Sequence, residues 1–184
     1  MSRKAPVRDR ILEAALAILG TEGLHGFTQA RVAEHAGVRQ SHLTYYFPAR
    51  DDLLRAVTAA FVDAMAAGLA GAAGDAAAVP SARRLAAVAR AIADRGHMRM
   101  FLGLVIEADT DPALRELVVD GTRRLEEALA RAIGGQGAAV RARAVVATLW
   151  GLGLYEFAVR PGPGASPRPA ALRTITQSLA RRES

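Results

Sequence analysis

Within six consecutive residues the chain places Gln40, Ser41, His42, Thr44 and Tyr45, inside the stretch HAGVRQSHLTYYFPARDDLL that runs from His35 to Leu54. Their amide, hydroxyl and imidazole groups donate and accept hydrogen bonds, the chemistry that reads base edges in a DNA major groove. A core helix does not tolerate that polar density, and a purely solvated helix has no use for the aromatics. Tyr45 also suits a phosphate or sugar contact. Tyr46 and Phe47 fit packing equally well, and Phe47 is expected in the core. Arg50 stands beside Asp51 and Asp52 at a helix start, where a cation is mildly disfavoured. A phosphate partner and a salt bridge to a nearby acid account for it equally.

These side chains need a scaffold, and the chain reads as helical throughout, with no sustained alternation and no Asn-Gly or Asp-Gly hairpin. A first helix is expected from Val7 to Glu22, with Ile11, Leu12, Ala15, Ile18 and Leu19 on one face and Gly23 as its stop. A second starts at Thr28 as N-cap, with Phe27 and Val32 placed for a hydrophobic staple, and ends at Gly37. A third spans Gln40 to Phe47 and stops before Pro48. Ala33 is small where the second and third helices must cross, and Leu43 points back beside Val32 and Val38. Two short helices joined by a Gly turn, the second polar on its outer face, describe a helix-turn-helix whose second member enters the groove.

A fourth helix begins near Arg50 and carries Leu53, Leu54, Val57, Phe61 and Met65. AGAAGDAAAVPS (Ala70–Ser81) is the candidate linker or helix break. Further helices are expected over Ala82–Asp94, His97–Ala108, Pro112–Ile133, Ala138–Val159 and Pro169–Arg181, with RPGPGASPRP (Arg160–Pro169) as a loop. The expected architecture is therefore all-α: an N-terminal three-helix DNA-binding domain over residues 1–47 and a larger helical body over residues 48–184.

The segment ILEAALAILGTEGLHGFTQARVAEHAGVRQSHLTYYFPARDDLL resembles the N-terminal domain of the TetR/AcrR family of transcriptional repressors. MFLGLVIEADTDPALRELV (Met100–Val118) resembles a weaker pattern in the ligand-binding body of the same family. Three positions depart from the family pattern: Arg39 replaces a Ser or Thr at the start of the third helix, Thr44 replaces an aromatic, and Arg50 replaces a Lys. The resemblance implies DNA contacts from Thr28, Arg39, Gln40, Ser41, His42, Thr44, Tyr45, Tyr46 and Arg50, with Thr28 holding a phosphate near its helix start. It also implies an inducer pocket enclosed by the central helices and a homodimer formed through the last two helices. Candidate pocket residues are Phe61, Met65, Met98, Phe101, Leu104, Val105, Trp150 and Leu154, although for each taken singly ordinary core is the better reading. Glu107 ends the apolar helix His97–Ala108, which is expected to be buried, and must pair, face solvent or meet a ligand. The helix Ala138–Val159, apolar on more than one face (Val140, Val145, Val146, Leu149, Trp150, Leu152 and Leu154), and the last helix with its stripe Leu172, Ile175 and Leu179 would form the dimer's four-helix seam.

The bounds agree with that reading. The net charge is +6, and it is spread: residues 1–55 hold eight basic and six acidic side chains, and the remainder sixteen and twelve. Charge alone therefore raises the expectation of a polyanionic partner only modestly. With no cysteine, disulfides, thiolate metal sites and cysteine nucleophiles are excluded. His25, His35, His42 and His97 lie at no metal-ligand spacing, and no phosphate loop, nucleophile elbow or paired-carboxylate motif is present, so neither metal, cofactor nor catalysis is expected. No apolar run reaches a membrane span, and the N-terminus lacks a signal core, so the chain reads as cytoplasmic. The expected function is a homodimeric regulator on a palindromic DNA operator, released by a small, mainly apolar effector. The alternative is a DNA-binding architectural or partner-regulated protein without a small-molecule pocket.

Overall fold

The computed structural model describes residues 6–73 and 94–159, and every regular element among them is helical. Helix α1 (Val7–Thr21) follows the period of Ile11, Leu12, Ala15, Ile18 and Leu19, all of them buried. It stops at Gly23, whose φ of 74° turns the chain out of the helix. A 3-10 turn, Leu24–Gly26, follows, which the helical period did not foretell. Helix α2 (Gln29–His35) is capped by Thr28, whose hydroxyl accepts the Arg31 N–H at 3.3 Å. Its end is a Schellman turn: Val38 N–H reaches Ala33 O and Gly37 N–H reaches Glu34 O, both at 3.0 Å, with Gly37 at φ 61°. The helix proper thus closes at His35, two residues before the Gly37 expected to end it.

Helix α3 (Gln40–Tyr46) begins after Arg39, which has extended backbone and makes no side-chain cap. Helix α4 (Arg50–Ala73) is started by Asp52, whose carboxylate accepts the Ala49 N–H at 3.0 Å. It runs through Ala73 and so continues into the expected linker, because alanine holds a helix at no entropic penalty. Helix α5 (Arg95–Glu107) is capped by Asp94, which accepts the amides of Gly96 and His97 at 2.9 and 3.0 Å. Asp111 does the same for helix α6 (Pro112–Ile133), accepting Ala113 and Leu114 at 3.0 and 3.2 Å, with proline at the first helical position. Helix α7 (Ala138–Val159) completes the described chain. The bounds of α6 and α7 are those expected. The helix expected over Ala82–Asp94, apart from Asp94 itself, and the helix over Pro169–Arg181, the loop before the latter, the later part of the linker, and Leu172, Ile175 and Leu179 lie outside the described residues.

The chain divides into two packing units, one drawn from Met1–Asp63 and Arg99–Val118, the other from Ala64–Met98 and Val119–Ser184. In the first, α1 packs on α2 and α3, and α2 on α3. Phe27, Val32, Leu43, Phe47, Leu53 and Val57 are buried there together with Leu104 and Leu114. Burial of a large aliphatic or aromatic side chain is worth roughly 1.5–3 kcal/mol, so this set carries the stability of a small unit. In the second unit, Leu125 and Leu129 of α6 form one cluster with Ala142, Val145, Val146 and Leu149 of α7, and Met65, Trp150 and Leu152 pack against it.

Two expectations about the apolar helices need correcting. Helix α5 is not buried all round: Met98, Met100 and Leu104 are buried, but Ile106, about 200° around the helix from Leu104, is 70% exposed, and Val105 is 43% exposed. Helix α7 is long and apolar enough by composition to cross a bilayer, yet only one face is buried. Val145, Val146 and Leu149, expected in a seam between two chains, belong instead to this chain's own core, with Leu152 packed against it.

Candidate nucleic-acid interface

Helix α3 is two turns long, and its one deeply buried residue is Leu43. Ser41 and Tyr45 lie about 160° around the helix from Leu43, and both are exposed, as are Gln40, His42 and Arg39. The polar face is therefore set by a single apolar anchor pressed into the domain. Thr44 is placed differently: it is half-buried, and its hydroxyl lies 3.2 Å from both Gln40 O and Ser41 O, where it donates back to its own helix. Tyr45 is 80% exposed, and its ring meets Tyr46 edge-on, centroids 5.3 Å apart and planes at 87°. Such T-shaped pairs are favourable, so Tyr46 holds the Tyr45 ring in place. Phe47 is buried, with the Arg8 guanidinium 5.7 Å from its ring centroid. Thr28 is exposed beside this face's scaffold and spends one lone pair on capping α2.

Arg50 and Glu107, placed by the sequence in a DNA set and a ligand set respectively, meet each other. Arg50 Nη2 donates to Glu107 Oε1 at 2.7 Å, Nη1 lies 3.6 Å from Asp51, and the guanidinium sits 5.7 Å from the Phe27 ring centroid. Arg55 makes a second link, its Nε donating to Asp111 at 3.1 Å. The Leu114 amide, with Arg55, holds the Asp111 carboxyl below the usual carboxylate range against the opposing effect of burial. An open cleft of about 310 Å³ is lined by Asp51, Leu54, Arg55, Glu107, Thr110, Asp111, Pro112 and Leu114. Glu107 is the one candidate ligand residue that this cleft contains.

The remaining candidate ligand residues are divided. Phe61, Phe101, Leu104 and Val105 belong to the first unit, and Met65, Met98, Trp150 and Leu154 to the second. Leu104 and Met98 are fully buried, whereas Val105 and Leu154 lie at the surface, at 43% and 47% exposure.

Several placed side chains were not legible from the sequence. Arg10 of α1 donates to the Ala36 and Gly37 carbonyls, Gln29 of α2 donates to Phe47 O at 2.8 Å, and Arg99 of α5 donates to Gly20 O and Thr21 O at 2.7 Å. Each acts on main-chain carbonyls far away in sequence, which residue type alone does not disclose. Glu156, buried in α7, did leave a signal: it continues the stripe Ala142, Val145, Leu149, Gly153 at helical spacing.

Residues 11–57 match the family of bacterial regulatory proteins described as the tetR family. A TetR-family member from Streptomyces coelicolor A3 is 26% identical, covering 97% of this chain and 100% of its own, with a TM-score of 0.74. The multidrug binding protein EbrR complexed with ethidium is 26% identical over 96% of this chain and 100% of its own, with a TM-score of 0.72. Its complex with proflavin gives 28% identity, 95% and 99% coverage, and a TM-score of 0.65. No curated protein matches in sequence. The matching segment contains the whole helix-turn-helix, and the likeness in fold extends over nearly the entire chain: this chain has a TetR-like all-helical fold and carries the DNA-binding domain of the tetR family of bacterial regulatory proteins.

Proposed function

We propose that the chain is a homodimeric repressor that reads a palindromic operator with α3 and leaves it when a small, mainly apolar molecule binds the body. The observation that carries this reading is the exposed array of Gln40, Ser41, His42 and Tyr45 around the single buried Leu43. Gln40 and His42 take the base edges, while Thr28, Arg39, Ser41 and Tyr45 position the backbone, with Tyr46 as buttress. Thr44, turned into its own helix, contributes by shape. Arg50, paired with Glu107, adds charge near the phosphates and joins the reading domain to the α5–α6 turn. The site of action is the cytoplasm, where the DNA lies.

Dimerisation follows from the outer face of α7. Val140, Ala144, Ala147, Gly151, Leu154 and Tyr155 are all exposed and recur at helical spacing along one side. A Cβ built on Gly151 meets nothing within 4 Å, so a second helix has room to approach there. Two-fold pairing of that face matches a two-fold operator, whose half-sites are then read about 34–36 Å apart. EbrR, similar over the full chain, binds ethidium and proflavin, which supports a drug-like effector here. Release needs an effector that favours one spacing of the reading helices by roughly 1–3 kcal/mol.

The partner-regulated alternative draws on one observation, the charged lining of the described cleft, which shares little with an apolar pocket. Purified protein titrated onto an enriched operator, with and without ethidium or proflavin, separates the two. Release by either compound supports the effector reading. Tight, specific binding that no apolar compound disturbs favours the alternative.

A further inference from the structure

A helix of two turns cannot hold its own orientation. Helix α3 makes few internal hydrogen bonds, has no side-chain cap at Arg39, and is tied to the core through Leu43 and the following Phe47. Yet base readout demands placement to a fraction of an ångström. Both ends of α3 are met by side chains from other helices. At its entrance, Arg10 Nη2 donates to Ala36 O and to Gly37 O, the latter at 3.0 Å. Those two carbonyls lie in the turn between α2 and α3. Gly37 serves this contact twice: its φ of 61° suits glycine, and a Cβ there would lie 3.2 Å from Arg10 Nη2. At the exit, Gln29 Nε2 donates to Phe47 O at 2.8 Å and lies 3.4 Å from Pro48 O. Two carbonyls can be served only by the amide NH2, so the side-chain orientation is fixed by chemistry.

We propose that Arg10 and Gln29 are positioning residues for sequence reading: they clamp the two ends of α3 and set how Gln40 and His42 meet the bases, without touching DNA themselves. The inference rests on the assignment of α3 as the reading helix. A clamp acts on all contacts of the helix together, whereas a base-reading side chain acts at one. Loss of the clamp should therefore blur preference across the whole half-site, and loss of Gln40 should blur it at a single base pair.

The test uses the full-length protein and a randomised duplex pool, with wild type, Gln29→Leu, Arg10→Lys, Arg10→Met and Gln40→Ala compared. Circular dichroism and thermal melts establish that each variant is folded. Gln29→Leu, similar in size and uncharged, should weaken the enriched duplex about 3- to 10-fold, the range of one lost hydrogen bond. Its affinity for scrambled DNA and its salt slope should stay as in wild type, and its enriched profile should flatten at every position of the half-site. Arg10→Met should flatten the profile in the same way, and Arg10→Lys, which keeps a donor, should restore most of it. A folded Gln29→Leu and Arg10→Met with unchanged profiles would overturn the clamp while Gln40→Ala still relaxes one position. If Gln40→Ala leaves the profile unchanged and the clamp variants do too, α3 is not the reading helix and both ideas fall.

Discussion

Arg50 and Glu107 are 57 residues apart and meet at 2.7 Å, joining the first turn of α4 to the last turn of α5. The pair ties the start of the helix that follows the reading domain to the turn before α6. Both side chains are about one-third exposed, so solvent screens the attraction. A double-mutant cycle with Arg50→Ala and Glu107→Ala, followed by chemical denaturation, should give an interaction energy of about 0.5–1 kcal/mol that shrinks with added salt. Removing Glu107 alone should steepen the dependence of DNA affinity on salt, because Arg50 is then released toward phosphate. An unchanged slope would remove Arg50 from the DNA contacts.

The outer and inner faces of α7 should respond differently. Leu154→Glu with Tyr155→Glu places charges on the exposed face, and sedimentation at micromolar concentration should then show folded monomers without tight operator binding. Leu149→Ala instead opens the chain's own core and should cost roughly 2–5 kcal/mol of stability. A Leu154/Tyr155 double variant that remains dimeric would exclude this face as the seam.

Asp111 joins α6 to α4 through its charge. Its carboxyl is held below the ordinary range by the Leu114 amide and by Arg55. A lowered folded-state pKa stabilises the fold above the unfolded value, about 3.9, and that contribution fades as pH falls through the folded value. Asp111→Asn should therefore melt below wild type at pH 6–7, and the gap should close as pH falls below about 3.9 and through the lowered folded-state value. A difference that persists undiminished in acid would show that hydrogen-bond geometry alone, without charge, accounts for the role of Asp111.

Gly37→Ala should destabilise the reading domain by about 1–2 kcal/mol, since alanine at positive φ is strained and its methyl presses on Arg10. Thr28→Ala should cost about 1 kcal/mol through the lost α2 cap. Equilibrium unfolding in urea measures both. A Gly37→Ala protein as stable as wild type would mean the turn can be rebuilt without Arg10.

The helices were largely legible in the sequence because their signals are local. Thr28, Gly23 and Gly37 mark starts and stops by side-chain or backbone chemistry within four residues, and Leu43 is isolated as the sole apolar residue between polar neighbours. What was not legible is what depends on distant partners. The Arg50–Glu107 pair, the Arg10 and Gln29 contacts and the Arg99 contact arise only once helices far apart in sequence lie side by side. The two faces of α7 are both apolar, so composition could not tell the buried one from the exposed one. Thr44 looked like a groove-facing donor, yet a hydroxyl in a helix can always turn back on the carbonyl four residues earlier.

The most direct measurement of the central claim is enrichment of bound duplexes from a randomised pool by wild type and by Gln40→Ala. Wild type should enrich an inverted repeat whose half-sites lie about one helical turn apart. Gln40→Ala should bind that site about 1–3 kcal/mol more weakly and lose preference at one base pair in each half. Enrichment of no common sequence, or a Gln40→Ala profile identical to wild type, would contradict the assignment of α3 as the helix that reads DNA.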